Sequence, residues 1–283
     1  MEKKRIRLIA LDLDGTLVGS DGMISEENQN AIRDAVQAGN DVVISTGRPY
    51  AGVPTDRLEP LGVRYAITAN GAGVYRIPEK ECLFSACYDW KLASELLQKL
   101  MEYRVHFDVF VNGNAYSQKA FLPMIEERLG LSEAGKHYLL TTRRFLDDAV
   151  DFIEETRAQV EKITVNFCPL GDGRHEDYEQ VYDLLSSYPE ITFLSGGSHN
   201  LEITRAGVEK GMGLRYLADL LEIPLEETMA CGDTPNDLNI MKTAGVAVAM
   251  GNADQEVKEL ADFVTLTNDE DGVAYAIRKY VLS

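Results

Sequence analysis

Ile6-Arg7-Leu8-Ile9-Ala10-Leu11-Asp12-Leu13-Asp14-Gly15-Thr16 decides the fold. Its apolar half is too short for a helix of several turns and ends in acidic residues and a glycine, the pattern of a buried parallel strand. Asp12 therefore falls at a strand's carboxyl end. From Ser25 to Ala38 the period becomes helical: Ser25 can cap, Glu26 and Glu27 suit the positive amino end, Ala31, Ile32, Ala35 and Val36 form one stripe, and Gly39 can end it.

Two more short apolar runs follow, Val42 to Ser45 before Thr46-Gly47-Arg48-Pro49, and Tyr65 to Thr68 before Asn70-Gly71. Strand-helix-strand repetition implies a parallel sheet with right-handed crossovers. Ligands of such sheets gather beyond the strands' carboxyl ends, where Asp12, Thr46 and Asn70 all fall.

After about Lys80 aromatics become frequent, and strand-like runs at Val105 to Val111 and Lys162 to Phe167 alternate with amphipathic stretches such as Trp90 to Glu102. Thr192 to Leu194 and Leu201 to Thr204, around the turn-forming Ser195-Gly196-Gly197-Ser198, close this region. The first pattern then resumes with a helix from Gly211 to Leu221 and strands at Thr228 to Cys231 and Val246 to Met250. The expected architecture is α/β: a discontinuous, Rossmann-like parallel-sheet core in residues 1–84 and 205–283, with an α+β cap inserted at 85–204.

Composition agrees with a folded chain long enough for two domains, since its 283 residues are 45% hydrophobic and 26% charged. No apolar run approaches the roughly 18 residues of a membrane span, and the run behind the basic start stops at Asp12, too soon for a signal peptide. Cys82, Cys87, Cys168 and Cys231 show neither zinc-site nor disulfide spacing, which points to a reducing cytoplasm. A net charge of −18 argues against nucleic acid as a partner. It does not exclude a small phosphate ligand, because a bound divalent cation inverts the local field of an acidic pocket. With no heptad pattern to suggest assembly, a monomer is the default.

Asp12 and Asp14 place two carboxylates just beyond a strand, so one can attack while the other handles protons. Thr46 offers a hydroxyl, Gly47 an unobstructed amide, and Lys210 a positive charge at the start of a helix. Gly232-Asp233-Thr234-Pro235-Asn236-Asp237 adds carboxylates and an amide behind another strand. Few, hard oxygen donors suit Mg2+, with Asp12, Asp233 and the Asp14 backbone carbonyl as its ligands and Asp237 a candidate to orient water on it. Each piece alone has an ordinary alternative: Asp before Gly forms turns, Lys-Gly before a helix is solvated surface, and Arg48 at a strand end makes structural bridges. Asn70 is equally open. The histidines, His106, His137, His175 and His199, lie in the inserted region without metal-like spacing, and Trp90 reads as a packing residue.

Taken in order, Asp12-Leu13-Asp14-Gly15-Thr16-Leu17, Ser45-Thr46-Gly47-Arg48, Gly207-Val208-Glu209-Lys210-Gly211 and Gly232-Asp233-Thr234-Pro235-Asn236-Asp237 resemble the haloacid dehalogenase superfamily. The branch they resemble is that of the Cof-type, sugar-phosphatase-like hydrolases with a large α/β cap, subfamily IIB. Asn70-Gly71-Ala72, Ala249-Met250-Gly251-Asn252-Ala253, Ala261-Asp262 and Asp271-Gly272-Val273-Ala274 extend the likeness through both core segments.

The resemblance implies Asp12 as nucleophile and metal ligand, Asp14 as general acid/base and backbone ligand, and Asp233 as the other metal carboxylate. Leu13 through its amide, Thr46, Gly47, Lys210 and Asn236 would hold phosphate. The expected activity is magnesium-dependent hydrolysis of a small phosphorylated metabolite, a sugar phosphate by resemblance, through an aspartyl phosphate on Asp12. The alternatives are a phosphomutase using the same carboxylates, and a non-catalytic phosphate sensor, against which the intact Asp12, Asp14 and Asp233 argue.

Overall fold

The computed structural model describes residues 5–195 and 200–283. They form two compact units, one from the described residues within Met1–Arg48, Val53–Ser85 and Glu209–Ser283, the other from those within Pro49–Gly52 and Ala86–Val208. The turn expected at Ser195 to Ser198 lies mostly, and His199 wholly, outside the described residues.

The first unit is built on β1 (Leu8–Leu11), β2 (Asp41–Ser45), β3 (Tyr65–Thr68), β4 (Gly73–Arg76), β5 (Glu81–Ser85), β12 (Thr228–Gly232), β13 (Val246–Ala249) and β14 (Phe263–Val264). They line up as β14-β13-β12-β1-β2-β3-β4-β5, parallel except for the antiparallel β3-β4 and β4-β5 pairs. The central strands are buried along their whole length, which is why β1 and β13 read as unbroken apolar runs rather than alternating ones.

Helices α1 (Glu26–Gln37), α2 (Thr55–Leu58), α8 (Lys210–Leu220), α9 (Leu238–Thr243), α10 (Gln255–Leu260) and α11 (Gly272–Tyr280) belong to the same unit. α1 starts as expected, with the Ser25 side chain accepting from Asn28 N, and ends at Gly39, which takes a φ of +90°. Leu11 pairs with Cys231 on one side and Ile44 on the other, so Asp12, Thr46 and Asp233 emerge side by side. From β1 the chain winds one way through β2 and β3, and from β12 the other way through β13 and β14. The crevice between β1 and β12 is thus a topological switch point.

The β4-β5 hairpin was not foreseen as part of this sheet. β5 is the edge strand and largely exposed, so it carries no alternation to reveal it.

The second unit holds β6 (Val105–Val111), β7 (Asn114–Gln118), β8 (Arg143–Leu146), β9 (Lys162–Phe167), β10 (Ile191–Leu194) and β11 (Asn200–Arg205) in the order β10-β11-β9-β6-β7-β8. Its helices are α3 (Trp90–Leu100), α4 (Leu122–Glu127), α5 (Glu133–Thr142), α6 (Ala149–Thr156) and α7 (Tyr178–Ser186). The odd-numbered residues of β6 and β9, among them Phe107, Val109, Ile163 and Val165, join Leu96, Leu97, Ile153 and Val181 in the main core of this unit. Trp90 packs against that core, as read from the sequence.

The even-numbered residues carry a buried polar cluster instead. Asp108 accepts from Arg143 Nε at 2.8 Å and lies 3.3 Å from His106 Nε2, while His106 also meets Ser117 Oγ at 3.0 Å and Asn166 Nδ2 at 2.9 Å. Of the four histidines, His106 is therefore a satisfied structural one.

Burial alone would raise the Asp108 carboxyl, but Arg143 and His106 beside it hold it well below the usual carboxylate range. A group depressed in the folded state contributes stability above its unfolded pKa and loses that contribution as pH falls through the folded one. Removing the charge strands a buried guanidinium, so Asp108→Asn is expected to cost about 3 kcal/mol or more in denaturant unfolding at neutral pH, with a smaller difference in acid. An unchanged midpoint at neutral pH would contradict this.

Candidate active site

Four loops of the first unit converge beyond its strands. Behind β1, the turn closes with Leu17 N donating to the Asp12 carbonyl at 3.2 Å and Val18 N to that of Leu13 at 2.9 Å. Gly15 makes this turn possible with a φ of +81°, and a Cβ there would meet Asp233 Oδ2 at 2.2 Å. The bare backbone therefore lets the β1 and β12 loops close on each other. Thr16, which the sequence offered only as part of the motif, ties them with a 2.9 Å hydrogen bond from Oγ1 to Asp233 Oδ1. Asn252 supports the same turn through Nδ2 to the Gly15 carbonyl at 2.8 Å.

Lys210 is the first residue of α8 rather than the residue before it, and its side chain is almost wholly buried. Its Nζ donates to Asp12 Oδ1 at 2.7 Å, Asp237 Oδ1 at 2.6 Å and Asn236 Oδ1 at 3.0 Å. Three donors meet three acceptors, which is the full capacity of an ammonium. Asp237 is fixed by its other oxygen, which accepts from Asp233 N at 3.0 Å and Thr234 N at 3.3 Å. Its observed role is to anchor Lys210 and the β12 loop. The Asn236 oxygen also accepts from Thr234 Oγ1 at 3.0 Å, so what this amide has left to offer a ligand is its N–H donors.

Behind β2, Thr46 is buried and its hydroxyl accepts from Arg48 N at 3.1 Å. Gly47, partly exposed, lies between them. The Thr46 carbonyl accepts from Asn70 N at 3.2 Å. Gly71 explains how α8 comes so close, because a Cβ on it would fall 2.1 Å from the Glu209 carbonyl. Leu13 is fully buried, so its contribution to a ligand can only be through the backbone. Arg48 grips Asp14, Nε to Oδ2 at 2.8 Å and Nη2 to Oδ1 at 2.5 Å. The structural bridge that the sequence left open for Arg48 is thus present.

Asp12, Asp233 and Asp237 each offer an oxygen within 4.8 Å of the others. Among the described residues, the ammonium paired with these carboxylates is that of Lys210. Burial, and then the charges of Asp237, Asp233 and Asp14, push the Asp12 carboxyl well above its usual range, with Lys210 opposing. Burial and Asp237 push Asp233 up to about 6. Burial works against the Lys210 charge, but Asp12 and Asp237 more than offset it and keep the ammonium protonated.

A buried cluster of hard oxygens short of positive charge fits a small divalent cation. Asp12, Asp233 and Asp237 carry the carboxylates that could hold one. A thiol is no rival nucleophile, since burial pushes Cys231 behind the site up to about 12.

The sequence profile of the haloacid dehalogenase-like hydrolases matches residues 9–277. Phosphatase YwpJ of Bacillus subtilis is 33% identical, with 96% of this chain and 99% of that protein covered. The 5-amino-6-(5-phospho-D-ribitylamino)uracil phosphatase YcsE of the same organism is 31% identical over 98% of this chain and 96% of its own length. The solved structure of a haloacid dehalogenase-like hydrolase from B. subtilis superposes with a TM-score of 0.83 at 32% identity, covering 96% and 99% of the two chains.

The fold is α/β, with a carboxylate cluster at its strand ends, and the chain belongs to the haloacid dehalogenase-like hydrolases. It is an enzyme, a phosphatase of that family. No helix among the described residues is long and apolar enough to cross a membrane.

Protons compete with a cation for Asp233, whose carboxyl titrates near 6. Millimolar magnesium is therefore expected to raise the melting temperature at pH 7.5 and to lose most of that effect below about pH 6. An equal shift at both pH values would show that the cation binds elsewhere.

Proposed function

We propose that this enzyme hydrolyses small phosphomonoesters, sugar phosphates foremost, in a magnesium-dependent reaction with Asp12 as nucleophile. The observation that carries this reading is the buried Lys210 ammonium, which fixes the Asp12 carboxylate beside Asp233 at the sheet's switch point. A bound Mg2+ would supply positive charge to the phosphoryl oxygens and to the carboxylates that hold it.

In the first step an Asp12 oxygen attacks phosphorus, the bond from phosphorus to the ester oxygen breaks, and Asp14 gives that oxygen its proton. In the second, Asp14 takes a proton from water as the water oxygen attacks phosphorus. The bond to Asp12 breaks, inorganic phosphate leaves, and both aspartates return to their starting states. The Lys210 charge offsets that of the phosphoryl oxygens, and the Asn236 amide, Thr46 and the backbone amides of Leu13 and Gly47 orient them.

The substrate class rests on the resemblance of the motifs and on the naming of a relative for a phosphorylated ribityl compound. The spacing of the four cysteines, which suits neither a zinc site nor a disulfide framework, favours a reducing, cytoplasmic setting. A net charge of −18 disfavours nucleic acid as substrate.

Phosphate release should appear with at least some members of a panel of hexose, pentose and polyol phosphates, require Mg2+ and stop with EDTA. Asp12→Ala should lower kcat by at least about 10³-fold while leaving the protein folded. Normal turnover by that folded variant would remove Asp12 as nucleophile. Isomerised sugar phosphate without released phosphate would identify a mutase instead.

A further inference from the structure

Arg48 is one residue past the loop that is to hold phosphate, yet its guanidinium is engaged with a carboxylate. Nε and Nη2 take one oxygen each of Asp14, at 2.8 and 2.5 Å. The Asp14 side chain is 60% exposed, against 7% for Asp12 and 23% for Arg48. An exposed ion pair ordinarily fixes nothing, because two long side chains share it with water. This one differs on two counts: the contact is a two-pronged fork on a short acid, and the backbone behind the arginine is itself held.

Arg48 N donates to Thr46 Oγ1 at 3.1 Å, and its carbonyl accepts from Ala69 N at 2.9 Å. Ala69 and Asn70 both take left-handed backbone angles, with φ of +49° and +57°, and Asn70 N donates to the Thr46 carbonyl at 3.2 Å. Two successive non-glycine residues in that region persist only where their surroundings hold them there. What they hold is the turn that carries Arg48.

Resting on the reading of Asp14 as the proton-transferring group, we infer that Arg48 is a positioning residue for Asp14. Without a partner, a carboxylate as exposed as that of Asp14 would sample several rotamers. The fork selects one of them. Each Asp14 oxygen keeps a second lone pair, which stays available for the proton passed to the ester oxygen or taken from water. The rival role, direct contact of Arg48 with the substrate, makes different demands on the kinetics.

The test compares wild type with Arg48→Gln, Arg48→Lys, Asp14→Asn and the Asp14→Asn/Arg48→Gln double variant. Two substrates are used: a hexose phosphate, whose alkoxide needs a proton to leave, and p-nitrophenyl phosphate, whose phenolate does not. Arg48→Gln is expected to slow release of the sugar about tenfold to a hundredfold more than release of the phenolate. With the aryl ester it should produce a burst of phenolate, because only breakdown of the phosphorylated enzyme still needs Asp14.

Arg48→Lys should recover part of the loss by holding one oxygen. In the Asp14→Asn background, Arg48→Gln should change the aryl burst rate by less than about twofold. Equal losses on both substrates, losses that multiply in the double variant, or a raised KM with unchanged kcat would each overturn the inference. If wild type releases phosphate from neither ester, or Asp12→Asn turns over normally, the proposed reaction itself falls.

Discussion

The ammonium of Lys210 is the interaction on which the rest of the site depends. It is buried and satisfied by Asp12, Asp237 and Asn236, oxygens that arrive from two different strand ends. Left alone, those buried carboxylates would repel each other and take up protons. Left alone, the ammonium would be an unpaired buried charge. Asp237 shows the dependence best: one oxygen holds Lys210 and the other holds the backbone of Asp233 and Thr234, so the cation and the β12 loop are located together. The same arrangement leaves Asp12 and Asp233 short of positive charge, a deficit that a divalent ion could fill.

Topology explains why such a cluster can form from residues far apart in the chain. β1 and β12 are neighbours in the sheet, but the chain departs from them in opposite directions. A switch point of this kind leaves a crevice beyond the strand ends. Glycines then permit the close approaches. Gly15 gives way to the Asp233 carboxylate, and Gly71 gives way to the backbone just ahead of Lys210. A side chain at either place would push one member of the cluster away from the others.

Much of this was legible in the sequence, for identifiable reasons. The central strands are buried on both faces, so Leu8 to Leu11, Tyr65 to Thr68 and Val246 to Ala249 stand out as apolar runs with polar residues behind them. The α1 cap could be read because Ser25 and Gly39 act locally. The β4-β5 hairpin escaped because its outer strand lies at a solvated edge and carries no alternation. Within the site, residue types and their order pointed to Asp12, Asp14, Thr46, Lys210 and Asp233. Who touches whom did not follow from spacing. Asp237 as the anchor of Lys210, Thr16 as the tie to Asp233, and Arg48 as the grip on Asp14 are contacts across 27, 217 and 34 positions of chain. The polar cluster around Asp108 was hidden in a similar way, since alternate residues of one strand serve a polar network and an apolar core at once.

The proposed reaction turns on a covalent bond between Asp12 and the transferred phosphorus. Chemical trapping reads that bond directly. Enzyme turning over a substrate with Mg2+ is quenched in acid, reduced with borohydride and digested, so that an aspartyl phosphate is converted to homoserine. Homoserine at position 12, dependent on substrate and absent from the Asp14-containing fragment when the two are resolved by fragmentation, is the expected result. Steady phosphate release with position 12 still aspartate, and the modification found at another carboxylate, would contradict it.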